Sequence, residues 1–216
     1  SNSNSAFLSA GNSGAALASA ILYMKRIDGV ERPAIAAPLP TVRGFLLLLD
    51  AGANTQCKPI HLTQWALMGA SYYKTLFPGG KGTVGLLSNG AETSKGTDLT
   101  RETHTLLSTL QEKGILKNGL YQGYVEGGRL FHGNCDVIVC DGFTGNVVLK
   151  SLEGLATAVT DMLKKEIKQD WLAMVGAAFA LRAMKKLKRR TDYAEVGAAP
   201  LIGVDGHAFI SHGRSN

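Results

Sequence analysis

The sequence predicts an α/β protein, an α/β/α sandwich built on a mainly parallel sheet, and three observations carry that expectation. Apolar runs of strand length alternate with helical stretches, no hairpin turn signals separate them, and each run ends in a polar, glycine-punctuated loop that leads into a helix. With 216 residues and 45% hydrophobic content, the chain suffices for one sizeable core or two small domains sharing a cleft. The 26 glycines cluster after the apolar runs, so they belong to loop chemistry rather than low-complexity linkers.

After a Ser/Asn-rich start over residues 1–5, Ala6-Phe7-Leu8-Ser9 reads as a short strand, followed by a small-residue loop and an Ala/Leu helix from about Ala15. Arg32 to Thr41 reads as extended, because each proline pushes its predecessor out of helical geometry. Phe45 to Leu49 is a strand apolar on both faces that ends in Asp50, Gly52 and Asn54. Pro59 suits a first helical turn and opens an amphipathic helix through Tyr72, in which His61, Trp65 and Met68 read as packing and surface residues. Thr83–Leu87 is the next strand, and its loop carries Glu92, Lys95 and Gly96 before a helix from about Leu99 to Lys113 capped by Thr97 or Asp98. Tyr121–Val125 is a strand ending at Glu126, Ser151–Lys168 is helical, and Gly197–Gly213 reads as a loop with a last strand, Ala208–Ile210.

The chain is organised around Cys135–Asn146, an apolar strand that closes in Asp141-Gly142-Phe143-Thr144-Gly145-Asn146 and runs into a helix. Glycines there allow close backbone approach, and Thr144 and Asn146 offer donors where a helix start favours an anion. Taken alone, the loop reads first as an Asp/Asn-capped turn, and only the repetition of the pattern argues for a site. Ser9, Asn12, Ser13 and Gly14 repeat the pattern, with an Asn-Ser cap as the competing reading. Because the glycine loops all follow strands, they are expected to share one sheet edge, with Ser9, Asn12, Asp50, Asn54, Glu92, Lys95, Glu126, Asp141, Thr144, Asn146 and His212 lining a common cleft.

Net charge is +6 and the pI about 9.3, but the excess is local. Between Lys164 and Arg190 stand nine Lys or Arg against Glu166 and Asp170, which leaves 14 basic and 15 acidic residues elsewhere. Just before the Lys185–Arg190 cluster lies the uncharged stretch Trp171–Leu181. Trp171, Leu172, Val175 and Phe179 beside Lys185 and Lys186 suit insertion at an anionic lipid surface, or equally a dimer interface with a solvated basic end. The cluster lacks the interleaved aromatics of single-strand binders, which argues against nucleic acid. Three cysteines without C-x-x-C spacing fit a reducing cytoplasm and no metal site. No run approaches the ~20 apolar residues of a membrane span, and no signal peptide is expected.

Read together, Ser9-Ala-Gly-Asn-Ser-Gly-Ala15, Arg32-Pro33-Ala34, Leu49-Asp-Ala-Gly-Ala-Asn54, Gly85-Leu-Leu-Ser-Asn-Gly90 with Lys95-Gly96, Val125-Glu126-Gly127, Asp141–Asn146, Leu149-Lys150, Glu153-Gly154, Leu201-Ile-Gly203 and Ser211-His-Gly213 resemble the bacterial phosphate acyltransferase family of phospholipid synthesis, PlsX. The resemblance covers nearly the whole chain. It implies an isocitrate/isopropylmalate-dehydrogenase-like fold, a homodimer, no cofactor, and transfer of a long acyl group from acyl carrier protein to inorganic phosphate. It also implies a cytoplasmic enzyme in peripheral contact with the membrane, where acyl phosphate passes to a glycerol-3-phosphate acyltransferase. Relative to the family, about ninety N-terminal residues are expected to be missing, so the chain reads as one incomplete α/β catalytic region with a helical protrusion over 164–190. It departs from the usual family pattern at Tyr124, Gly128-Arg129 and Ala91-Glu92.

That chemistry asks for orientation and charge stabilisation more than for a strong base. A thioester is activated, since its thiolate leaves with a pKa of ~8.5, and phosphate is already an anionic nucleophile. Under this reading Lys95 neutralises phosphate or the developing oxyanion, Asn12, Ser13, Thr144 and Asn146 donate to it, and Asp141 orients Lys95 or a phosphate proton. Ser9, Gly14, Asn54, Glu126 and Gly145 complete the substrate site, and His212 is a surface histidine or a general base. No G-x-S-x-G elbow supports a Ser-His-Asp route. The rival readings are a phosphotransacetylase-like enzyme using acyl-coenzyme A, a nicotinamide dehydrogenase without the G-x-G-x-x-G fingerprint, and a non-catalytic lipid-surface module.

Overall fold

The computed structural model describes residues 6–9, 13–117, 120–191 and 198–211, with the side chains of 13 and 187–191 excepted. Asn12 and His212 lie outside the described residues, as does the side chain of Ser13.

The central element is a five-stranded sheet made of β3 (Ala37–Thr41), β4 (Gly44–Leu49), β7 (Val137–Val139), β5 (Val84–Ser88) and β6 (Tyr121–Glu126), in that spatial order. β4, β7, β5 and β6 run parallel, with Leu49 beside Val139, Leu86 beside Val139, and Ser88 beside Glu126. Helices α2 (Pro59–Leu76) and α3 (Asp98–Glu112) supply two of the crossovers, as expected for a sheet covered on its faces.

The strands are apolar on both sides because both sides are buried. Leu47, Leu49, Val137 and Val139 pack on one face with Leu62, Trp65 and Leu107 of α2 and α3. Leu46, Leu48, Ile138 and Cys140 turn to the other face. There they meet Ala16 and Ala20 of α1 (Ser13–Met24), Leu149 of α4 (Gly142–Gln169), and a second sheet.

That second sheet corrects the expectation of a fold without hairpins. It has the order β1 (Ala6–Ser9), β9 (His207–Ile210), β8 (Ala199–Ile202), β2 (Ala34–Ile35); β1 and β9 are parallel and the other pairs antiparallel. The stretch before Ala208 read as loop therefore contains a strand. β3 and β4 also form an antiparallel hairpin, closed by the Val42-Arg43 turn, with Arg43 N donating to Thr41 Oγ1 at 3.2 Å. Pro38 and Pro40 confine β3 to the sheet edge, because a proline cannot donate to a second neighbour.

α4 is one helix from the organising loop onward, about 42 Å long at 1.5 Å per residue. Only its first turns meet the core. It is followed after one residue by α5 (Trp171–Thr191), which Asp170 caps through Oδ1 to the Leu172 amide at 2.8 Å. Leu155, Val159, Met162, Trp171 and Phe179 of these two helices are exposed, Phe179 at 87%. Among the described residues, no helix is long and apolar enough to cross a membrane.

Candidate functional site

Parallel register brings four loops to the carboxyl edge of the main sheet: Asp50–Asn54 after β4, Asp141–Asn146 after β7, Ser88–Thr97 after β5, and Glu126–Arg129 after β6. Neighbouring strands lie about 4.8 Å apart, so the loops leave the sheet side by side. The expectation that every glycine loop shares this edge is corrected in one respect. Ser9 ends β1 in the other sheet, beside Ile210, and its carbonyl accepts from Ser211 N at 2.8 Å. Gly14, at the start of α1, is exposed.

Asp50 is the hub of the β4 loop rather than a wall of the cleft. Its carboxylate is fully buried and accepts from Ile35 N (2.9 Å), Gly52 N (3.3 Å), Ala53 N (3.2 Å), Asn54 N (2.6 Å) and Asn54 Nδ2 (2.9 Å). Burial pushes this carboxyl up, and the donors from Ile35, Asn54 and Ala53 pull it back down. Asn54 is only 4% exposed, and its amide also donates to Pro33 O at 2.8 Å. Its place is to tie the β4 loop to the segment before β2.

The organising loop docks on this hub. Gly142 N donates to Asn54 O at 2.7 Å. A Cβ on Gly145 would sit 1.9 Å from Asp50 O, and one on Gly142 would sit 2.5 Å from Asn54 O, so only glycine permits the approach. Asp141 caps α4: Oδ1 accepts from Thr144 N at 2.9 Å and Oδ2 from Thr144 Oγ1 at 2.7 Å. Two amides of the helix start are thus already spent within the protein. Asn146 is exposed on this edge, with its side chain lying against Gly52.

Lys95 is exposed in the neighbouring loop, and its stem lies over Gly90, where a Cβ would meet Lys95 Cγ at 2.6 Å. The next peptide is held on both sides. Gly96 N donates to Asn89 Oδ1 at 2.8 Å, and Arg101 NH1 donates to Gly96 O at 2.6 Å. Thr97 caps α3. Glu126, partly buried, begins a 3-10 turn over Gly127–His132. Reading the sequence missed Arg101, Asn89 and the buried role of Asp50. The signal for the last was present in Asp50-x-Gly52-x-Asn54, a carboxylate followed by amides within Asx-turn reach.

Burial disfavours the thiolate at each of the three cysteines. Burial pushes Cys57 and Cys135 each up to about 11, and Cys140 well above the usual thiol range. Among the described residues, no group of three or more His, Cys, Asp or Glu is placed to hold a metal ion.

The membrane-facing candidates lie on α5. Trp171, Leu172, Val175 and Phe179 are exposed, as are Lys185 and Lys186.

Comparison with known proteins agrees with this architecture. The chain is 50% identical over 215 residues to the phosphate acyltransferase of Geotalea daltonii, matching 100% of this chain and 60% of that protein. To the phosphate acyltransferase of Elusimicrobium minutum it is 54% identical over 211 residues, matching 98% and 60%. The chain therefore spans about three fifths of the length of the curated relatives it matches. Among solved structures, EutD phosphotransacetylase from Staphylococcus aureus superposes with a TM-score of 0.51 at 18% identity, covering 64% of this chain and 46% of that one. A phosphotransacetylase from Streptococcus pyogenes does so at 0.51 and 15%, covering 69% and 50%. These two share the fold. The family described as "Fatty acid synthesis protein" matches residues 1–216, and the chain belongs to that family.

Proposed function

We propose that this chain carries the acyl-transfer site of a phosphate acyltransferase, moving a long-chain acyl group from acyl carrier protein to inorganic phosphate. The observation that carries the reading is the convergence of four glycine loops at one sheet edge, with an exposed lysine and an exposed asparagine on adjoining loops, in a chain half identical to proteins named phosphate acyltransferase. A phosphate oxygen attacks the thioester carbonyl, a C–O bond forms, and the C–S bond breaks. The electron pair leaves on the carrier thiolate, which takes its proton from solvent. Lys95 meets the negative charge of phosphate or of the tetrahedral oxyanion, and Asn146 donates beside it. Asp141, Thr144 and Gly145 act by holding the start of α4 in place, Asn54 acts by fixing the β4 loop, and Glu126 borders the site from β6. Asn12 and Ser13, with Ser9 and Gly14, are assigned to the same phosphate site on the family resemblance of the Ser9–Ala15 stretch.

The remaining parts of the reading concern the setting. We take residues 1–216 as one α/β catalytic region from which 164–190 protrudes. The exposed apolar residues Trp171, Leu172, Val175 and Phe179, next to Lys185 and Lys186, suit peripheral contact with an anionic membrane in the cytoplasm. A homodimer that pairs the same helices would use part of that surface. Acyl phosphate released there is poised for a glycerol-3-phosphate acyltransferase of phospholipid synthesis.

The phosphotransacetylase-like neighbours favour a second reading, in which the donor is acyl-coenzyme A. Thiol release measured with and without phosphate, from palmitoyl-acyl carrier protein, palmitoyl-coenzyme A and acetyl-coenzyme A, separates the two. Phosphate-dependent release from the carrier protein supports the first. Release from acetyl-coenzyme A alone, or release indifferent to phosphate, overturns it.

A further inference from the structure

We propose that Asn89, Gly90 and Arg101 are positioning residues for Lys95, holding its ammonium in place before an anion arrives. The inference rests on the reading of Lys95 as the cation of the phosphate site and deepens it. Between Ser88 and the Thr97 cap, the chain makes an excursion that would be free to wander if it were tied only at its ends. It is tied in its middle instead. Lys95 N donates to Glu92 O at 3.0 Å, closing a turn. The peptide groups on either side of Gly96 are both engaged by side chains, the amide by Asn89 Oδ1 at 2.8 Å and the carbonyl by Arg101 NH1 at 2.6 Å.

Gly96 adopts φ +90°, and a Cβ there would lie 2.2 Å from Thr100 Oγ1 and 3.2 Å from Ser88 Oγ. The residue after Lys95 is thus gripped at its nitrogen, at its oxygen and at its α-carbon. The lysine side chain is restricted as well. Its Cγ and Cβ would lie 2.6 and 3.3 Å from a Cβ built on Gly90, so the stem rests on the bare α-carbon of that glycine. A lysine on a loose loop must surrender backbone and rotamer freedom when it meets an anion, and here the backbone and the first part of the side chain, to Cγ, are already ordered. Arg101 also pairs with Asp98, which anchors the guanidinium to the first turn of α3 and leaves its other arm for Gly96.

A role limited to capping α3 would make these residues matter for folding alone. A positioning role makes their effect depend on Lys95. The test is a set of double-mutant cycles: Asn89→Ala, Gly90→Ala and Arg101→Ala, each in the parent and in Lys95→Ala, followed by phosphate-dependent thiol release and by phosphate titration read on the Gly96 amide resonance. Gly90→Ala is informative because its methyl displaces the Lys95 stem and the end of the Glu92 side chain, at 2.6 and 2.8 Å, and neither makes the hydrogen bonds that hold Gly96, so the loop keeps those bonds. In the parent background, Asn89→Ala and Gly90→Ala are expected to raise the phosphate KM and Kd by about tenfold, and in Lys95→Ala by less than about twofold. Asn89→Asp, which keeps an oxygen facing the Gly96 amide, should recover most of the loss. Equal effects in both backgrounds, or no effect where Lys95→Ala itself is strongly impaired, overturn the proposal. A Lys95→Ala variant that binds and turns over phosphate like the parent refutes the cation reading instead, so the two failures are distinguishable.

Discussion

Replacing Asp50 by asparagine sets two large effects against each other, and the geometry decides between them. The substitution removes a buried charge, which by itself relieves the desolvation that pushes the Asp50 carboxyl up. It also turns one acceptor oxygen into a donor. In the arrangement that keeps Oδ1 on Ile35 N, Gly52 N and Ala53 N, the new amide nitrogen faces Asn54 N and Asn54 Nδ2, now bonded at 2.6 and 2.9 Å. Two buried N–H groups, the Asn54 backbone amide and the one arm of Asn54 Nδ2 that does not bond Pro33 O, are then left without an acceptor at about 1–3 kcal/mol each, a loss of about 2–6 kcal/mol before any relief of desolvation. Set against a total stability of about 5–15 kcal/mol, this is a large share. Urea denaturation followed by Trp65 fluorescence reads it, because that indole is fully buried and donates to Arg32 O at 2.8 Å. Trp171, 72% exposed, is first replaced by Phe to remove its background. The expected result is a midpoint lower by about 1–2 M at an unchanged slope. An unchanged or higher midpoint would mean that relieving the charge outweighs the lost acceptor, and would refute the hub argument.

Other expectations are open to direct measurement. His61 accepts from Lys58 N through Nδ1, so its Nε2 proton faces Glu31; burial lowers its pKa from 6.5 despite that partner. The unfolded chain therefore takes up the proton first, and stability present above about pH 6.5 should fall as pH drops through the folded value, a dependence that His61→Gln should flatten in thermal melts. Cys57, pushed up from 9.0 to about 11, should react with iodoacetamide at pH 8 roughly a hundredfold more slowly than a free thiol; a fast rate would show that the thiol is not held as described. Gly145→Ala drives a methyl into Asp50 O and should lower the denaturation midpoint severely or prevent folding, whereas Gly154→Ala, with nothing within 4 Å, should not. Phe179→Asp should weaken sedimentation with phosphatidylglycerol vesicles, and Trp171 emission should shift to the blue on binding; co-sedimentation indifferent to anionic lipid would remove the membrane reading.

Much of the fold was legible in the residues themselves. Unbroken apolar runs such as Phe45–Leu49 and Val137–Cys140 announce strands buried on both faces, and the Asp, Thr and Pro residues at positions 141, 97 and 59 mark helix starts through local chemistry that operates within four residues. The order of the loops along the chain, together with parallel crossovers, was enough to place Asp50, Lys95, Glu126 and Asp141 at one edge. What lay beyond the sequence were contacts set by residues far apart. The β3–β4 hairpin turns on Val42-Arg43 without a hairpin signature, and the second sheet joins β1 to β9 across nearly the whole chain. Asp50 looked like a cleft residue because a carboxylate at a strand end is normally solvated. Only the approach of Ile35 and of the glycines of α4 buries it, and burial is a property of what comes near, which no single stretch of sequence encodes. The sequence by itself determined that Lys95 stands in a glycine loop, and the folded loop decided that Asn89 and Arg101 engage the Gly96 peptides while Gly90 lies under the Lys95 stem.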